Sequence, residues 1–248
     1  MLNVSYQRSE ITKLASLAFG AAIVLLSILI GGNSIAGGAD EQVCDVGADY
    51  PLSVEDYTEA IRRHVKVLNG HPDDALSHYH LGFALGMVGN RTAEIREYQR
   101  AEKLGLTSWD LFLNLGLAQL ESGDLDAATD SLRRAVFFGE NHAESHLSLA
   151  LVDERRGMLA NAEHQTLASL QLNPNQPDAR NRLGVIYARE GNIARASLIW
   201  RELLRDLPDY EPARTNLVVL GNRSPVAGAD DETAAVDSPG GRRQSHRR

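Results

Sequence analysis

The chain has one cysteine and no cluster of positive charge along its main body, and each shortage removes a class of explanation. With Cys44 alone no internal disulfide forms, so packing has to hold the fold. Nor is Cys44 placed as a lipid-anchor cysteine, which directly follows an apolar run, because Glu41-Gln42-Val43 precede it. It reads as a linker thiol, with pairing to another chain as the open alternative. Clustered positive charge is missing too. The formal net charge is -8, and no stripe of Lys or Arg follows the helical patterns described below, which argues against nucleic acid as a partner. Neither His-Glu-x-x-His, nor paired cysteine ligands, nor Gly-Lys-Ser/Thr, nor Gly-x-Ser-x-Gly occurs. No catalytic, metal or cofactor residues are therefore assigned, and no enzyme activity is expected.

Long apolar runs are lacking except for one. Leu14 to Ile30 carries no charge, follows Arg8 and Lys13, and leads into Gly31-Gly32-Asn33-Ser34-Ile35-Ala36. As a helix it would span ~25 Å at 1.5 Å per residue, against ~30 Å for a bilayer core. Residues 1–36 thus fit a signal peptide cleaved after Ala36 or a retained membrane anchor equally well. In both cases the positive residues stay in the cytoplasm and the rest of the chain crosses, giving a periplasmic or membrane-anchored protein whose main body is on the non-cytoplasmic side. Residues 37–52 read as a linker. At the other end, residues 222–248 are rich in Gly, Pro, Ser and Asp, lack periodicity and should be disordered. Their terminal arginines suit a solubilising tail, with contact to anionic headgroups or an acidic partner as the alternative.

What is present is a repeat. Leu81-Gly82, Leu115-Gly116, Leu149-Ala150 and Leu183-Gly184 recur about every 34 residues, a period of helix-turn-helix solenoids. In phase with them, Gly89, Gly123, Gly157 and Gly191 stand where a first helix has to stop. Tyr98 with Ala101, Leu132 with Ala135, and Trp200 with Leu203 then mark one face of a second helix. Gly82, Gly86 and Gly89 read as packing and turn glycines rather than a phosphate loop, because no strand pattern precedes them. Small residues at Gly82, Gly116, Ala128, Ala162, Gly184 and Ala196 let helix backbones approach, and each unit's wide apolar stripe requires a stacked neighbour.

These residues resemble the tetratricopeptide repeat (TPR) family over about two-thirds of the chain. The resemblance implies an all-α solenoid over residues 53–221, with full repeats at 75–108, 109–142, 143–176 and 177–210, part of a leading unit before them and a capping helix at 211–221. Glu94 and Ser169 depart from the family's preference for Ala, and looser packing is expected there. The resemblance further implies that first helices line a concave groove, and that Tyr79, Phe83, Leu113, Leu117, Leu147, Leu151, Asn181 and Val185 point into it.

That row is mostly apolar, rimmed by Asp110, Glu144, Glu154, Asp178 and Arg189. It suits an amphipathic helix or extended apolar peptide with basic flanks. The alternative is that these side chains pack between repeats. If they face a partner, replacing Phe83, Leu117 and Leu151 with Asn removes binding and leaves melting intact. Family members that dock acidic peptide C-termini use Lys and Asn in the groove. Here Tyr79, Phe83, Asn114, Glu144 and Ser148 hold those places, and only Asn114 matches. The expected function is therefore a non-catalytic adaptor in a bacterial cell-envelope assembly, binding a protein or peptide, with membrane contact through residues 1–36 if these are retained. A self-associating, membrane-tethered spacer is the alternative. A metal-dependent enzyme ranks third, because His142, Glu144 and His146, or His78 and His80, lack a diagnostic ligand spacing, and the register shared by His78, Phe112, His146 and Arg180 explains those positions as packing.

Overall fold

The computed structural model describes residues 54–223, with Asp49, Pro51 and Leu52 ahead of them. The apolar run, Cys44 and the tail from residue 224 lie outside the described residues, and so do the expectations of a signal, an anchor and a disordered terminus. Among the described residues there are ten helices and no strand, and no helix is long and apolar enough to cross a membrane.

A leading helix α1 (Tyr57–Gly70) is followed by four antiparallel pairs. They are α2 (Ala75–Met87) with α3 (Arg91–Lys103), α4 (Trp109–Ser122) with α5 (Leu125–Phe138), α6 (Ala143–Arg155) with α7 (Leu159–Leu172), and α8 (Pro177–Arg189) with α9 (Ile193–Asp206). Helix α10 (Glu211–Arg223) closes the array. Each first helix ends one or two residues before a left-handed glycine: Gly89 has φ +83, Gly123 +89, Gly157 +77 and Gly191 +82. A side chain disfavours that backbone, so glycine sets the turn length in every unit.

Within the pairs, a missing side chain on the first helix receives a large one from the second. A β-carbon at Gly82 would lie 2.7 Å from the Tyr98 ring, one at Gly116 2.6 Å from Leu132, and one at Gly184 2.5 Å from the Trp200 indole. The third pair is built from smaller pieces, with Ala150 and Thr166 at the equivalent positions, both fully buried. The expected looseness at Glu94 is largely filled by its own side chain, with a small pocket beside it. Glu94 is buried because Gly86 leaves its carboxyl room: a β-carbon there would sit 2.5 Å from Glu94 Cδ. In the other units Leu120, Glu154 and Ala188 take the place of Gly86. Ser169 is also accommodated, its hydroxyl lying 2.8 Å from the Ala143 carbonyl oxygen and 2.8 Å from Gln176 Oε1.

Most of the large buried apolar side chains fall into two clusters. One runs from Leu52 through α2–α5 to Leu149, Leu151 and Val152 of α6. The other joins α8, α9 and α10 around Trp200. Between them, α7 buries only Ala162, Thr166 and Ser169.

Candidate functional site

First helices of successive units touch one another, α2 on α4, α4 on α6 and α8 on α10, whereas each second helix packs on its own partner and on the next first helix. Polar bonds between residues 35 apart reinforce this inner row. Asn114 Nδ2 donates to the Tyr79 hydroxyl at 3.0 Å, Arg155 to the Leu120 carbonyl at 3.3 Å, Arg189 to the Glu154 carbonyl at 2.8 Å, and Asn216 Nδ2 to Asn181 Oδ1 at 3.0 Å. The row with the closer neighbours is the concave side of a solenoid.

The eight groove residues divide on that row. Tyr79, Phe83, Leu113 and Leu151 are buried, and Leu117, Leu147, Asn181 and Val185 are half-buried. Tyr79 donates to Asp110 Oδ2 at 2.9 Å while accepting from Asn114, so its hydroxyl joins α2 to α4, and burial pushes its phenol well above the ordinary range. Asn181 is bonded to Asn216 in the same way. Replacing Phe83, Leu117 and Leu151 with Asn is consequently a perturbation of folding as well as of the face. Removing two buried apolar side chains and burying amides in their place costs several kcal/mol, about 2–5 for each large-to-small change.

The expected charged rim is largely used inside the array. Glu154 accepts from Arg182 at 2.7 Å and from Arg189 at 3.1 Å, Asp110 accepts from Tyr79, and Asp178 accepts from Tyr210. These bonds hold one unit to the next.

One pocket opens between α2, α3 and α4, with about 40 Å³ of free space. That volume admits the tip of a side chain and is far below the ~300 Å³ or more of a cofactor site. Phe83, Met87 and Leu117 supply its apolar wall, and Arg91, Glu94, Asn114 and Glu121 its polar one. Arg91 pairs with both Glu94 and Glu121. Burial pushes the Glu94 carboxyl up to about 7 against the pull of Arg91. Burial and the adjacent Glu94 also push the Tyr98 phenol well above its ordinary range. Phe83, Leu117 and Asn114 of this pocket were singled out in the sequence, whereas Arg91 and Glu121 were not. Reading Gly86 against Leu120, Glu154 and Ala188 at the same repeat position was the available signal for a space at Glu94.

The histidines separate as register implies. His78 Nδ1 meets Glu97 Oε2 at 2.7 Å and its Nε2 meets the Pro72 carbonyl at 3.0 Å. His146 repeats this two units later with Gln165 Oε1 at 2.8 Å and the Glu140 carbonyl at 3.2 Å. His142 stacks on Trp109, with ring centroids 3.7 Å apart. His80 instead turns toward Asp49 and His64.

Residues 113–177 match the tetratricopeptide repeat family. This is a tetratricopeptide-repeat fold. The chain is similar to the solved structure of YrrB, described as a TPR protein with an unusual peptide-binding site, with a TM-score of 0.64, 23% identity, and 71% of this chain and 93% of that one covered. It is similar to the structure of MamA with a TM-score of 0.61, 24% identity, and 66% and 95% covered. Among curated proteins, tetratricopeptide repeat protein 8 of Caenorhabditis elegans is 23% identical over 147 residues, covering 58% of this chain and 29% of that protein. The chain thus spans less than a third of that relative's length. At these identities the likeness to the TPR structures is one of fold.

Proposed function

We propose that this chain is a non-catalytic adaptor that holds a protein or peptide partner on the inner face of its TPR array, in a bacterial cell-envelope assembly on the non-cytoplasmic side of a membrane. The pocket between α2 and α4 carries the reading. It sets an apolar wall of Phe83, Met87 and Leu117 beside Arg91, Asn114 and Glu121 between two first helices, at a size suited to one side chain of a peptide. Half-buried Leu147 and Val185 extend the apolar surface along the row. An amphipathic helix or an extended apolar segment fits such a face. YrrB, a similar fold described as peptide-binding, lends support. The location rests on Arg8, Lys13 and the apolar run Leu14 to Ile30.

The test is an affinity capture of the full chain from cross-linked native membranes, beside a Leu117→Asn/Leu147→Asn variant and a Leu198→Asn control on exposed α9 surface. The parent and control should capture a partner that the inner-face variant loses while its helicity is unchanged. Identical captures by all three overturn the reading.

A second reading, a self-associating tethered spacer, draws on Phe137 and Phe138, which are 79% and 44% exposed at the end of α5. It requires concentration-dependent oligomers that Phe137→Ser disperses.

A further inference from the structure

Ahead of the first helix pair, three ligand-type side chains converge in the interior. Asp49 belongs to the leading segment, His64 to α1 and His80 to α2. They are 7%, 1% and 6% exposed, and one donor atom from each lies within 4.8 Å of the others. We propose that Asp49, His64 and His80 form a zinc site that fastens the leading segment to α1 and α2.

Geometry and donor chemistry support this independently. Zinc bonds of about 2.0–2.1 Å to nitrogen and oxygen put tetrahedral ligand atoms roughly 3.3 Å apart. His64 Nε2 is 3.5 Å from Asp49 Oδ1, close to that spacing, and His80 Nδ1 is 2.6 Å from the same oxygen, a contact that has to open by less than 1 Å to reach it. The two imidazole rings lie 5.3 Å apart at 64°, edge to face rather than parallel. Two neutral imidazoles and one carboxylate are ligands that borderline divalent ions accept, with a fourth position left for water.

The inference separates from the peptide-binding reading, because the inner-face pocket lies between α2, α3 and α4 and shares none of these ligands. Sequence spacing alone hid the site. His64 and His80 lie on different helices, and Asp49 precedes both, so no short motif forms.

The experiment uses the full chain, purified in detergent and stripped with a chelator. Zinc titration by calorimetry, metal analysis of the reloaded protein and the visible spectrum of the cobalt-substituted form are measured. One zinc per chain, a rise in melting temperature and a tetrahedral cobalt spectrum are expected. Asp49→Asn keeps the shape of the side chain and should weaken zinc binding at least tenfold, with circular dichroism unchanged. His64→Ala/His80→Ala should abolish binding, and His142→Ala/His146→Ala should retain it. Stoichiometric binding that survives equally in the Asp49 and His64/His80 variants overturns the site, as does a parent chain that takes up no zinc.

Discussion

Glu94 is a carboxylate in a position where the repeat otherwise carries alanine, and its tolerance depends on a second departure, Gly86, facing it. Its folded value of about 7 lies above the ordinary 4.5, so the folded protein binds the proton more tightly than the unfolded chain does. The associated stability is full below pH 4.5 and declines as pH rises to about 7. The shift corresponds to as much as about 3 kcal/mol. Glu94→Gln should therefore match the parent near pH 4.5 and become the more stable protein at pH 8. Chemical denaturation of both across that range checks the sign. A constant difference between them would place the titration elsewhere.

Among the elements, the third helix pair lacks a side-chain cap at the start of both its helices. Six helices have a side-chain cap: Asp56, Asp74, Asn90, Ser108, Asp124 and Asn192 each accept from a backbone N–H three residues on. Helices α6, α7 and α8 begin at His142, Met158 and Gln176 without such a bond. Met158 holds the repeat position that Asn90, Asp124 and Asn192 use for capping, and it is exposed. Met158→Asp should stabilise the array by about 1 kcal/mol, read as a raised urea midpoint at unchanged slope. This weakness was visible in the letters, since Thr166 and Ser169 stand where the other units place Tyr98 with Ala101, Leu132 with Ala135, or Trp200 with Leu203. The helix period and its stop glycines were legible for the same reason: in a solenoid each unit meets only its neighbours, so local pattern and tertiary contact coincide. The division of the groove residues into buried and half-buried was not legible. It depends on how far each first helix tilts against the next, and helical spacing alone does not determine that. The cluster of Asp49, His64 and His80 was hidden by its origin in three separate segments.

Across the whole molecule, two apolar clusters are joined through α7, which has small buried side chains and no side-chain cap. Stability in such an array is a sum over units and interfaces, so opening should begin in the middle. In native-state hydrogen exchange, amides of α7 should exchange at least tenfold faster than those of α4 and α5, the factor that about 1.4 kcal/mol produces. Equal protection throughout would mean that the interfaces share load more evenly than the side chains suggest. The bonds between residues 35 apart have a mechanical meaning as well. They lie along one edge of the array, so straightening it breaks them while tighter coiling does not. The molecule therefore has a preferred direction of bending. Any guest lodged on the inside would be gripped by elastic recoil, and tension between the two ends should be absorbed first at α7, extending the array like a fuse before either cluster yields.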